Sequence, residues 1–224
     1  SMTGDYQNTV KYAFQAQSLA ESSQDNETLL SLQIVLPDAL THTGRLEEAR
    51  QYAQQGLEYA RKMGNQHSEA YALTALGLVV QELEGPATAR SYQEQALQLA
   101  RQVKDRNLEA KALNNLAISV GVSQGDFHTA REYFQQSLAI FHEQGNQRGK
   151  GLILANLGWL SGILGDFLSA MTYHEQALKV ARELGQRLEE MYTYVNLSAS
   201  AYGQGFASDA LAWAKKAQEL AATA

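Results

Sequence analysis

The chain has 224 residues, with 18 Lys and Arg against 24 Asp and Glu, a formal charge of −6 and no cysteine. Disulfides and thiolate metal sites are thereby excluded, and the acidic balance excludes the basic stripe that a phosphate backbone requires, so no nucleic-acid partner is expected. The length allows a sizeable core, the start lacks the charged-then-apolar pattern of a secretion leader, and a reducing, cytoplasmic setting suits the composition; Ser1-Met2 reads as a cloning remnant.

Along the chain, Gly4, Gly44, Gly85, Gly125, Gly165 and Gly205 stand in one column, with successive differences of 40, 41, 40, 40 and 40. Such regularity marks a repeat array. Ala49, Ala89, Ala130, Ala170 and Ala210 form a second column, and Tyr52, Tyr92, Tyr133, Tyr173 and Trp213 a third, read as core. Apolar residues recur at spacings of three and four and proline is nearly absent, which predicts two helices per repeat with the glycine column closing the first. The chain therefore opens on a half repeat over 4–24 and continues in five helix pairs, 25–63, 64–103, 104–144, 145–184 and 185–224, as one array over 1–224 with eleven helices and no strand.

The first pair, 25–63, holds Pro37, which removes a backbone donor and predicts a local distortion of the helix over 27–43. The second opens at the Gly64-Asn65 breaker. In the third, Lys104-Asp105 fills that slot without glycine, making this the least distinct turn; a helix over about 126–144 then leads to Gly145-Asn146, followed by a helix over about 148–164. The stretch 151–165, GLILANLGWLSGILG, is uncharged but shorter than the ~18 apolar residues of a membrane span. It reads as a buried helix despite its Gly158-x-x-x-Gly162 spacing, and no membrane partner is expected. The last pair opens at Gly185-Gln186, and residues 221–224 lack a polar cap. Together with the opening half repeat, this frames the chain as a piece of a longer protein.

Four first helices share a core of large and small residues: Leu73-x-x-Leu76-Gly77, Leu113-x-x-Leu116-Ala117, Leu154-x-x-Leu157-Gly158 and Tyr194-x-x-Leu197-Ser198. These residues, with the second-helix alanines, resemble the tetratricopeptide repeat in its long variant of about forty residues, the kind found in bacterial signalling proteins and kinesin-light-chain-like arrays. The motif's opening tryptophan and closing proline are missing, and Pro37 stands where a small residue is expected. The resemblance implies an all-α, right-handed superhelical solenoid of antiparallel helix pairs, with stacked first helices lining a concave surface. The Gln-rich second helices, such as SYQEQALQLAR and TYHEQALKVAR, also resemble arrays that follow nucleotide-binding switch domains in large bacterial signalling proteins, where the array acts as sensor.

Catalysis finds little support. His42, His67, His128, His142 and His174 show no repeated ligand spacing, His174-Glu175 lacks the second histidine of a zinc-protease helix, and Glu47-Glu48 and Glu189-Glu190 suit solvated helix starts. No enzyme activity, metal or cofactor is expected. Recognition of a protein or peptide segment is the better reading. One first-helix stripe should face the groove: Tyr71, Thr74, Ala75 and Leu78; Lys111, Asn114, Asn115 and Ile118; Leu152, Ala155, Asn156 and Trp159; Tyr192, Val195, Asn196 and Ala199. Asn115, Asn156 and Asn196 share a column, and an amide can pair with both groups of an extended backbone, with Tyr71, Trp159 and Tyr192 as apolar contacts between them. The competing role for these asparagines is to lock the helix stack. The alternative function is a scaffold, joining copies end to end or docking onto other domains of a parent chain. Tyr6, Val10, Phe14, Leu211, Trp213 and Leu220 are the apolar residues expected to be left open for self-association.

Overall fold

A computed structural model describes residues 2–222, with side chains except those of residues 2–5 and 26. Eleven α-helices and no strand occupy the described residues: α1 Met2–Ser23, α2 Asn26–His42, α3 Leu46–Lys62, α4 Gln66–Glu84, α5 Pro86–Gln102, α6 Arg106–Gln124, α7 Phe127–Glu143, α8 Gln147–Ile163, α9 Phe167–Glu183, α10 Arg187–Gly203 and α11 Ala207–Ala222. Gly4 lies within α1 rather than in a turn, and the reading of Ser1 and the last two residues falls outside the described range.

The helices are cut by backbone geometry that only certain residues adopt without strain. Gly44, Gly85, Gly125, Gly165 and Gly205 take φ of 76°, 95°, 67°, 77° and 90°. The alternate turns use Gly64, Gly145 and Gly185, each at 65°, with Gln24 at 54° and Lys104 at 58° in the same slot. The turn that is least distinct in sequence thus has the same left-handed residue as its counterparts, held by a side chain for which this conformation costs about 1–2 kcal/mol. At six of these turns the side chain of the next residue caps the following helix, whereas Arg45 and Gln186 make no such bond. Asp25, Asn65, Asp105 and Asn146 accept from the backbone N–H of Thr28, Ser68, Leu108 and Gly149 at 2.9–3.1 Å. Asp126 and Asp166 do the same for Thr129 and Ser169.

The chain divides into two compact units, Ser1–Ala130 and Arg131–Ala224, with the division falling inside α7. In the first unit each helix packs on the next from α1 to α6, and the alternate helices also meet, α2 with α4 and α4 with α6. In the second, α8, α9, α10 and α11 pack in succession and α8 meets α10. Alternate helices therefore form a common face within each unit. Close approach depends on small residues: Ala49, Ala89 and Ala170 are fully buried, and a Cβ at Gly77 would lie 3.0 Å from Gln93. The aromatic column is half-buried rather than fully core, and Tyr52 donates its hydroxyl to Gln17.

Three further expectations meet the packing. Helix α2 runs through Pro37 without a break. Proline leaves the Gln33 carbonyl without its helical donor, and α3 presses there with Gly56, where a Cβ would lie 3.2 Å from that oxygen. Tyr6, Val10 and Phe14 are not open surface. They pack on Leu36, Ala39, Leu40 and Ala49, because α1 lays its apolar face on α2. Trp213 and Leu220 likewise pack on Leu178, Tyr194 and Leu197, whereas Leu211 is exposed. Finally, Glu190 is an ion-pair partner of Arg182 at 2.9 Å rather than a simply solvated carboxylate. Arg61–Glu69 and Arg101–Glu109 are the matching pairs in the first unit. No helix among the described residues is long and apolar enough to cross a membrane, and Ile153, Leu154, Leu157 and Leu160 of the uncharged stretch are buried in α8.

Candidate functional site

The alternate-helix face of the first unit carries Tyr71, Thr74, Ala75 and Leu78 on α4, all half-buried, beside Lys111, Asn115 and Ile118 on α6. Lys111 is exposed. Asn114 is buried, and its Nδ2 donates to Asn115 Oδ1 at 3.1 Å, so only one of the two adjacent asparagines reaches the less buried side. Tyr71 tilts against His67, whose Nε2 lies 2.9 Å from Asp105. Burial, and then the Asp105 charge, raise the Tyr71 phenol above its ordinary range. Beneath this face, fully buried Gln93 of α5 ties α4 to α6: its Nε2 donates to Gln81 at 3.1 Å and its Oε1 accepts from the Ser119 hydroxyl at 2.5 Å.

The second unit presents a different face. Leu152 and Trp159 of α8 and Tyr192 and Val195 of α10 are exposed, Trp159 at 39% and Tyr192 at 57%, with half-buried Asn156 and Asn196 among them. Trp159 and Asn196, both expected in a groove, come together on the wall of a recess of about 240 Å³. Gly158, Gly162 and Ile163 of α8, Phe167 and His174 of α9, and Ala199 and Ser200 of α10 complete it. His174 is 2% exposed, and its Nδ1 is buried without a hydrogen-bond partner. Burial alone pushes this imidazole down to about 4, so it is neutral near pH 7. The ring lies so close to α8 that a Cβ at Gly158 would fall 2.5 Å from it, which makes glycine there a steric requirement.

Spacing among the histidines does not single out His174 as a site. The signal that points to it is its column: Ala53, Gln93, Phe134, His174 and Ala214 each lie four residues after the repeated alanine. A polar residue at this inward position needs a partner. The Gly158-x-x-x-Gly162 pair, whose spacing would suit helix pairing in a membrane, lines the recess beside it. Among the described residues, no group of three or more His, Cys, Asp or Glu side chains is placed to hold a metal ion.

Residues 29–102, 68–143 and 108–183 each match the family model of the tetratricopeptide repeat. The chain belongs to that family. Tetratricopeptide-type solved structures share its fold at low identity. BtubC (BKLC) from P. vanneervenii is 21% identical with a TM-score of 0.78, covering 97% of this chain and 91% of that one. A Rap protein complexed with Competence and Sporulation Factor is 14% identical with a TM-score of 0.77, covering 98% and 71%. The apo quorum sensor NprR from B. thuringiensis is 12% identical with a TM-score of 0.74, covering 97% and 62%. No curated protein matches the chain significantly.

Proposed function

We propose that this tetratricopeptide-repeat chain is a non-catalytic, cytoplasmic module that binds an extended protein or peptide segment on its alternate-helix faces, as the sensor or interaction part of a bacterial signalling or regulatory protein. The observation that carries the reading is the second unit's face. Trp159, Tyr192 and Val195 are exposed beside the half-buried amides of Asn156 and Asn196, a combination of apolar anchors and backbone-pairing groups without a charged side chain among them. The Rap protein complexed with Competence and Sporulation Factor and the quorum sensor NprR support a sensor role by analogy of fold. In the first unit, Tyr71, Lys111 and Asn115 supply the corresponding contacts, with Asn114 steadying Asn115.

The test is an Asn115→Ala, Asn156→Ala, Asn196→Ala triple variant, assayed against a segment recovered by pull-down and for thermal unfolding. A single neutral hydrogen bond is worth about 0.5–1.5 kcal/mol, so each single change should weaken binding modestly and the triple change severely, with little loss of melting temperature. A large loss of stability assigns the asparagines to stack locking, and unchanged affinity in a folded triple variant rules out these amides as the site. Exposed Leu211 on α11 and Tyr12 and Leu19 on α1 favour a second role in joining copies, which concentration-dependent sedimentation measures directly.

A further inference from the structure

The two units contain the same site in two chemical versions, and the sequence offset between them is a constant 81 residues. Adding 81 to Gly77, Gln81, Gln93 and Ser119 gives Gly158, Gly162, His174 and Ser200. In the first unit the site is closed. The Gln81 side chain occupies it and accepts from Gln93, and the Ser119 hydroxyl satisfies Gln93 from the other side. In the second unit glycine replaces Gln81, histidine replaces Gln93, and Gly162, at the position of Gln81, lines the recess. A Cβ at Gly162 would meet nothing nearer than Ala170 at 4.0 Å, so packing does not demand glycine there. The serine is retained, but its hydroxyl donates to the Asn196 carbonyl at 2.9 Å instead of to the residue from α9. The His174 Nδ1 is consequently left buried without a partner, and the His174 side chain lines a recess whose other walls are largely apolar.

We propose that this recess is an anchoring pocket for one uncharged aromatic side chain bearing a hydrogen-bond donor, a tyrosine phenol of the bound segment, with its hydroxyl donating to His174 and its ring against Trp159, Ile163 and Phe167. The proposal deepens the segment-binding reading of the second unit and rests on it. Size selects a single side chain: 150 Å³ is enough for benzene, so about 240 Å³ takes a substituted ring and is below the range of drug-sized pockets. Chemistry selects a neutral donor for the Nε2–H tautomer of His174, whose Nδ1 accepts, because no charged residue lines the recess, Ser200 has committed its hydrogen elsewhere, and a buried acceptor nitrogen lacking a partner favours a ligand that supplies a hydrogen. Asn196 at the rim, with donor and acceptor together, can then hold the backbone next to the anchored residue.

The test uses the full chain and p-cresol as the probe, with toluene as its match in shape, followed through the His174 ring resonances by NMR. The expected result is saturable binding of p-cresol with a shift at His174, toluene binding about ten-fold more weakly for want of the hydrogen bond, and loss of binding in Gly162→Gln. The double variant Gly162→Gln, His174→Gln rebuilds the first unit's closed arrangement; it should stay folded and bind neither probe, which separates plugging from unfolding. No saturable p-cresol binding, equal binding of toluene, or undiminished binding in the folded double variant would overturn the pocket. Because the probe needs no partner segment, these outcomes are independent of the triple-asparagine result. p-Cresol binding lost on plugging supports the pocket even where that variant defeats the segment reading.

Discussion

His174 is the residue whose surroundings have the clearest measurable consequence. Its imidazole titrates at about 4 in the fold against 6.5 when free, because burial disfavours the charged form. The unfolded chain therefore binds more protons between these values, and stability falls as pH drops from about 6.5 to about 4. Above this window the contribution is fully present, and below it the loss levels off, at on the order of 3 kcal/mol. Thermal unfolding across pH 4–7 should show this slope in the native chain and a flatter profile in His174→Gln, which has no imidazole to protonate. A second residue-scale expectation concerns Lys104, held at φ 58° where other turns have glycine. Lys104→Gly should raise stability by about 1 kcal/mol in chemical denaturation, and Gly64→Ala should lower it by a similar amount, since only the glycine meets this geometry without strain.

At the scale of the helix, Pro37 and its neighbours show how one residue adjusts two elements. The column that holds it contains Gly77, Ala117, Gly158 and Ser198, so alanine fits the space. Pro37→Ala would return a donor to the Gln33 carbonyl and is expected to slow amide exchange across α2 and stabilise the chain by about 1–3 kcal/mol. An unchanged exchange rate in α2 would mean that the helix has already relaxed around the proline. The joints between helices rely on charge as well as turns. Glu109, nearly buried, accepts from Arg101 at 2.9 Å and Arg106 at 2.6 Å, joining the end of α5 to the start of α6. Both arginines are half-exposed, which screens the pairs, so Glu109→Gln should cost only about 1–2 kcal/mol in denaturant unfolding, more than an ordinary surface pair would.

Across the whole molecule, stability should follow the neighbour list. Within the first unit α4 packs on α2, α3, α5 and α6, whereas α1 packs on α2; within the second, α10 packs on α8, α9 and α11. Hydrogen exchange is therefore expected to be slowest in α4 and α10 and fastest in α1 and α11, a gradient characteristic of repeat proteins rather than one uniform core. Uniform protection along the chain, or a circular dichroism spectrum with appreciable sheet, would contradict the helix-pair architecture.

The amino-acid sequence by itself determined the helices, their turns and the family, because each follows from local rules repeated every forty residues: glycine where φ is positive, small residues where helices approach, apolar residues at helical spacing. It also put Trp159 with Leu152 on one side of α8 and Asn196 with Tyr192 on one side of α10, since residues four or seven apart on a helix share a side regardless of what lies opposite. Tertiary structure alone decided the rest. That Asn114 turns inward to Asn115 depends on which neighbour fills the adjoining space, and that Tyr6, Val10 and Phe14 are covered depends on how α1 lies on α2. Above all, the recess needs three helices at once: the emptiness at Gly162, the ring of His174 and the diverted hydroxyl of Ser200 are separated by up to 38 positions in sequence. No periodicity in one helix records an unpartnered nitrogen, because a missing hydrogen bond is a property of everything packed around it.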